Sequence, residues 1–104
     1  MAGTEQLQNL DALIMLSIET LNSKSTVESS VTKIARVSDI SVGAVSYRTR
    51  NLEAKKLVIR AEEGNKMTHY LTEAGKLSLQ AWKETQMGQL LADKYLEKIS
   101  DNIK

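Results

Sequence analysis

At 104 residues the chain is the size of one domain and can bury only a modest core, which makes association with a second copy an economical way to enlarge it. It has no Cys and a single His, so a disulfide framework and thiolate chemistry are excluded, and any zinc site would need mostly carboxylate donors, an unsuitable set. Net charge is only +1, yet Lys24 to Arg60 holds eight Lys or Arg against Glu28, Asp39 and Glu53, leaving −4 for the remainder. A polyanion would be drawn to the middle of the chain, although solvated helix faces account equally well for a basic excess alone.

Residues 1–6 read as a frayed start. Over 7–22 the apolar positions Leu7, Leu10, Leu13, Ile14, Leu16, Ile18 and Leu21 are denser than one helix face requires. Such a helix is either central to a core or shared with a second subunit, and the small domain favours sharing. After a polar stretch, Ser25 and Glu28 have capping-box spacing, and Val27, Val31, Ile34 and Ala35 form one stripe. This spacing predicts a second helix over 26–37, with Lys33 and Arg36 projecting from it.

A third helix is predicted over 41–55. Ser41 can accept amide hydrogens of the first turn, and Val45, Thr49 and Leu52 fall at i, i+4 and i+7, one buried stripe. At about 100° per residue from Val45, the core direction lies near 20° and the opposite face near 200°. Tyr47 sits at the centre of that outer face, flanked by Gly43 and Ala54, with Arg50, Ser46 and Asn51 on its shoulders. The face carries no acid, two residues small enough for close approach, and side chains that donate to phosphates or base edges. Those are the properties of a DNA-reading surface.

Residues 57–71 read as a hairpin: strands over 57–61 and 67–71, with Gly64 and Asn65 supplying the turn chemistry. Thr72 can cap a last helix over 73–102, uninterrupted by Pro. Leu77, Ala81, Gly88, Leu91, Ala92, Tyr95 and Ile99 follow steps of three and four, broadened by Trp82, Leu90, Leu96 and Ile103. A helix on the order of 40 Å long would project beyond so small a core. Its apolar face predicts a dimer interface through Leu77, Ala81, Trp82, Leu91, Tyr95 and Ile99, the competing arrangement being a helix folded back over its own domain.

The segment 31–60 resembles, without a gap, the helix-turn-helix core of MarR-like winged-helix regulators. The matching positions are Ile34-Ala35, Ile40-Ser41, Val45-Ser46, Leu52-Glu53 and Leu57-Val58, and Tyr70-Leu71-Thr72-Glu73-Ala74-Gly75 looks like the family's junction between wing and last helix. The resemblance covers about half the chain. It implies a mainly α winged helix-turn-helix with a small β-hairpin wing and a long C-terminal dimerisation helix, and it starts the second helix near Ser30, after a short strand. The sequence departs from the family at Asp39, where a turn glycine is usual, at Ala44 for a common threonine, at Thr49 for an aliphatic residue, and at Lys56 for the glycine that often ends the recognition helix.

Fold and residue pattern together predict a homodimeric, sequence-specific binder of double-stranded DNA, a transcriptional regulator of the repressor kind. Ser46, Tyr47, Arg50 and Asn51 are the base-reading candidates. Ser41, Gly43, Lys33, Arg36, Arg48 and Lys55 would meet the backbone, and Arg60, Asn65 and Lys66 are the wing contacts the resemblance implies. Glu62 and Glu63 weaken that wing assignment, since two acids near the tip repel phosphate. Two other readings compete: a DNA-binding partition adaptor of the plasmid, phage or virus type, with the acidic ends as a recruiting surface, and a winged-helix protein-interaction module. No activated nucleophile or phosphate-cradling loop is present, so neither an enzyme nor a cofactor is expected. His69, on a strand, reads as a packing or surface residue. Trp82, Met15, Met67 and Met87 fit core packing better than the effector pocket the resemblance allows. With no signal peptide and no membrane-length apolar run, the expected location is the cytoplasm.

Overall fold

The computed structural model describes residues 7–24 and 29–103. Within these residues the order is α1 (Asn9–Asn22), α2 (Val31–Ser38), α3 (Val42–Ala54), β1 (Val58–Glu63), β2 (Lys66–Leu71), α4 (Glu73–Lys83) and α5 (Gln86–Ile103). This is a mainly α winged helix.

The apolar density of α1 has an internal explanation. Ala12, Ile14, Met15, Leu16, Ile18 and Leu21 are completely buried, and α2, α3, α4, α5 and β2 all pack against this helix. Each buried Leu or Ile side chain stabilises by about 1.5–3 kcal/mol, so α1 is the centre of the core. The chain's own elements bury residues 11–18 and Leu21, which accounts for the apolar density without a second subunit.

The second helix starts later than the stripe predicts. Ser30 is its N-cap, accepting from the Lys33 amide at 3.2 Å, and Val31 is its first residue. The Ser25 and Glu28 capping-box spacing lies outside the described residues. Ser29 cannot join the helix because β2 holds it. Its hydroxyl accepts from the His69 amide at 3.0 Å and donates to the His69 carbonyl at 2.6 Å, while its own carbonyl accepts from His69 Nδ1 at 2.7 Å. Ser29 thus bonds to β2 much as a residue of a neighbouring strand would.

Between α2 and α3 the chain turns through Asp39, which has φ 61° and ψ 35°. Ser41 then caps α3, accepting from the Ala44 amide at 3.2 Å. Val45, Thr49 and Leu52 are buried, and the Thr49 hydroxyl is satisfied by the Ser46 carbonyl at 3.1 Å, so this polar residue sits in the core without an orphaned group. Lys56 takes φ 63° just past the helix, where the family's glycine would stand. The neighbouring backbone is held by the start of α4. Thr72 caps that helix, donates to the Lys56 carbonyl at 2.7 Å, and its amide reaches the Leu57 carbonyl at 3.1 Å. A Cβ on Gly75 would lie 2.0 Å from the same Leu57 oxygen, so only glycine allows the approach.

The hairpin is tighter than predicted. Its strands run to Glu63 and from Lys66, leaving Gly64, at φ 66°, and Asn65 as the whole connection. Arg60 stands directly opposite His69.

The expected single helix over 73–102 is two. Thr85 breaks it: its hydroxyl accepts from the Gly88 amide at 2.9 Å, as an N-cap does, and donates to the Trp82 carbonyl at 2.7 Å. A Cβ on Gly88 would sit 1.7 Å from the Trp82 carbonyl oxygen. After this corner α5 lies over α1 and α2 of the same chain, the folded-back arrangement. Trp82 and Ile99 are consequently core residues, with Trp82 Nε1 donating to Asn9 at 3.0 Å.

Candidate nucleic-acid interface

The stripe of α3 that packs on the core fixes what its opposite face presents. Tyr47 is 67% exposed, and Gly43, Arg50, Asn51 and Ala54 are exposed around it, while Ser46 is half-buried at one edge. Arg36, on α2, is exposed as well. Neither Arg36 nor Arg50 takes part in an ion pair among the described residues. Lys33 is half-buried and Lys55 is exposed near the end of the helix. Ser41 is exposed, with its hydroxyl committed to the cap.

Two predicted contacts are turned to other work. Arg48 points back to α1, donating to Asp11 at 3.0 Å and to Gln8 at 3.2 Å. Asp11 is nearly buried, so the guanidinium neutralises an acid inside the fold and ties α1 to α3. Arg60 likewise turns inward from the wing, 3.5 Å from Glu53 at the end of α3, with its Nε buried. Of the three wing candidates, Asn65 and Lys66 are exposed at the tip, beside the exposed Glu62 and Glu63. Tyr70 donates to Glu63 at 2.9 Å and keeps that carboxylate against the outer face of the hairpin.

His69 is fully buried. Because a carbonyl can only accept, the proton of its neutral ring is on Nδ1, facing Ser29, and Nε2 finds no partner among the described residues. Burial lowers its pKa first, with Arg60 across the hairpin acting in the same direction against the Ser29 hydrogen bond. Among the described residues no cluster of His, Cys, Asp or Glu is arranged to hold a metal ion, and no helix is long and apolar enough to cross a membrane.

The predicted dimer residues divide into three groups. Leu77 is 65% exposed and Ala81 is exposed. Leu91 and Tyr95 are half-buried against the core, and Trp82 and Ile99 are spent inside it. Leu90 and Met87, not among the predicted interface residues, are 67% and 55% exposed. Asp11 is the structurally important residue that sequence reasoning passed over, although a lone acid within an apolar helix was a signal for a buried cation partner.

No protein-family model matches the sequence, and no curated protein sequence does. Solved structures are similar in fold. A mutant of MepR from a multidrug-resistant S. aureus clinical isolate aligns with TM-score 0.67 and 21% identity, covering 98% of this chain and 81% of that one. An S. aureus MepR–DNA complex aligns with TM-score 0.60 and 18% identity, over 94% of this chain and 79% of that one. A MarR-family transcriptional regulator from Rhodococcus sp. RHA1 gives 0.57 and 14%, over 94% and 64%. Likeness at these identities is likeness of fold, and the fold is the winged helix-turn-helix of MarR-type regulators.

Proposed function

We propose that the chain is a sequence-specific double-stranded DNA-binding protein that acts as a homodimeric transcriptional repressor. The observation that carries this reading is the outer face of α3: a solvent-exposed Tyr47 with Arg50, Asn51 and the small residues Gly43 and Ala54 around it, and no acid in their midst. A helix of this kind fits the major groove, where Arg50 pairs with guanine O6 and N7 and Asn51 with adenine N6 and N7. Lys33, Arg36 and Lys55 supply phosphate contacts, which fix register and carry most of the salt dependence. Arg48 and Arg60 are left out of the contact set because they turn inward, to Asp11 and Glu53. The similar fold of a regulator solved on DNA supports the same reading.

The second copy is read from exposed apolar residues. Leu77, Met87 and Leu90 leave a surface on α4 and α5 that a mate would cover. Two-fold symmetry then presents two copies of α3 to half-sites one helical turn apart.

The test is selection of bound duplexes from a random pool, followed by footprinting of the best site. A single palindrome supports a repressor, an array of direct repeats with cooperative spreading points to a partition adaptor, and no binding at low salt to a protein-interaction module. On the selected site Arg50→Ala is expected to cost about 1–3 kcal/mol and to relax preference at one base pair. Unchanged discrimination among point-mutated sites would remove Arg50 from the reading set.

A further inference from the structure

The corner at Thr85 sends α5 back across α2, and its last two turns end on the segment joining α2 to α3. Asn102 Nδ2 donates to the Val37 carbonyl at 3.0 Å, across 65 residues of sequence. Val37 lies in the last turn of α2, where carbonyls lose their helical donors; Asn102 satisfies this one. One turn earlier, Lys98 Nζ donates to Asp39 Oδ2 at 3.0 Å and stands 5.8 Å from the centre of the Tyr95 ring. Ile99, between these two residues, is completely buried and fixes the helix in place. Asp39 is the residue of this turn with positive φ, a conformation that Asp tolerates better than most residues but that glycine adopts more freely.

We infer that the end of α5 is the positioning element for the turn between α2 and α3. Asn102 and Lys98 are positioning residues that set the angle at which α3 leaves α2, and with it the pose of Tyr47, Arg50 and Asn51, without touching DNA themselves. The inference rests on the proposed DNA-binding function and adds to it a control point on the opposite end of the chain. A side chain that holds Val37 and one that holds Asp39 constrain the turn at two points where the chain leaves α2. Both come from one helix, so a displacement of α5 moves the two restraints together.

The experiment uses the full chain and the tightest duplex selected from the random pool. Asn102→Ala and Asn102→Asp are each expected to weaken binding about five- to tenfold, the size of effects transmitted by residues that contact neither ligand, and Lys98→Ala, whose ion pair is exposed, about twofold. The slope of log affinity against log salt is expected to stay at its original value, whereas Arg36→Ala lowers it by about 0.9, one phosphate contact. Lys98→Arg, which keeps the donor, is expected to restore binding, and Lys98→Ala made on top of Asp39→Gly is expected to change nothing further. Amide hydrogen exchange gives a readout without DNA: Ile40, whose N–H bonds to the Ala35 carbonyl at 3.2 Å, loses protection in Asn102→Asp while the amides of α1 keep theirs. Unaltered binding by the Asn102 variants overturns the inference alone, as does unchanged protection at Ile40. A reduced salt slope in Lys98→Ala makes that lysine a phosphate contact and likewise overturns it. Failure of the unaltered chain to bind any duplex at low salt overturns the DNA reading and this inference together. Should Asn102→Ala fail to fold, the nearly isosteric Asn102→Asp and the exposed Lys98→Ala decide the matter.

Discussion

A Cβ placed on Gly43 would meet nothing within 4 Å, and the residue lies in ordinary helix. Neither packing nor backbone geometry inside the protomer requires glycine there, although it costs α3 roughly 1 kcal/mol relative to alanine. Close approach of a duplex backbone is a reason that lies outside the protomer. Gly43→Ala is therefore expected to raise unfolding free energy by about 0.5–1 kcal/mol in a urea titration while weakening binding to the selected duplex. A variant that gains stability with undiminished affinity would remove Gly43 from the interface. His69 supplies a second prediction. Its folded pKa lies below the ordinary 6.5, so the unfolded chain takes up the proton first as pH falls. The stability tied to the neutral ring is present above pH 6.5 and is lost as pH drops below that value towards the folded pKa. Thermal midpoints measured from pH 7 to pH 5 should fall more steeply for the original chain than for His69→Asn, whose amide can still donate to Ser29 but does not titrate. Parallel profiles would show that the ring carries none of this dependence.

At the scale of elements, most of the helices and the hairpin were legible because each writes its own period into the sequence. Val45, Thr49 and Leu52 marked the buried side of α3, and Gly64 with Asn65 marked the turn of the wing. The corner at Thr85 was not legible, since no Pro announces it and Gly88 falls on the same apolar stripe as Ala81 and Ala92. What breaks the helix is a threonine cap combined with a contact that leaves no room for a side chain, and such contacts appear only once the neighbouring turn is placed. Gly88→Ala puts a methyl against the Trp82 carbonyl. It is expected to destabilise by about 1–3 kcal/mol or more, with the near-ultraviolet signal of Trp82 altered at temperatures below the melt. Retention of full stability would mean that α5 can leave α4 at another angle. The inward turn of Arg48 and Arg60 was illegible for a related reason. A helical wheel gives the direction of a side chain from its own axis, and Asp11, which claims Arg48, lies 37 residues away.

For the whole molecule, folding α5 back changes where a second copy can sit. Trp82 and Ile99 are already buried, so the surface left for the proposed mate is the outer side of the α4 and α5 pair, where Leu77, Met87 and Leu90 are exposed. Leu90→Glu is expected to leave the thermal midpoint within about 0.5 kcal/mol of equivalent stability at monomer-forming concentrations, because surface changes away from packed features cost little. Its sedimentation profile should shift to monomer, with loss of binding to a full palindrome and retention of weak half-site binding. A dimer of unchanged strength would place the mate elsewhere. The basic excess of the central segment is also smaller in space than along the chain, since Asp11, from outside that segment, takes one of its arginines.

The central position of α1 bears on how the molecule comes apart. The other helices and β2 all rest on one rod of 14 residues, so there is no half that keeps a hydrophobic interior once the rod is withdrawn. Melting is therefore expected as a single cooperative event, and a protease that severs α1 is expected to undo α3 and the outer side of α4 and α5 in the same cut.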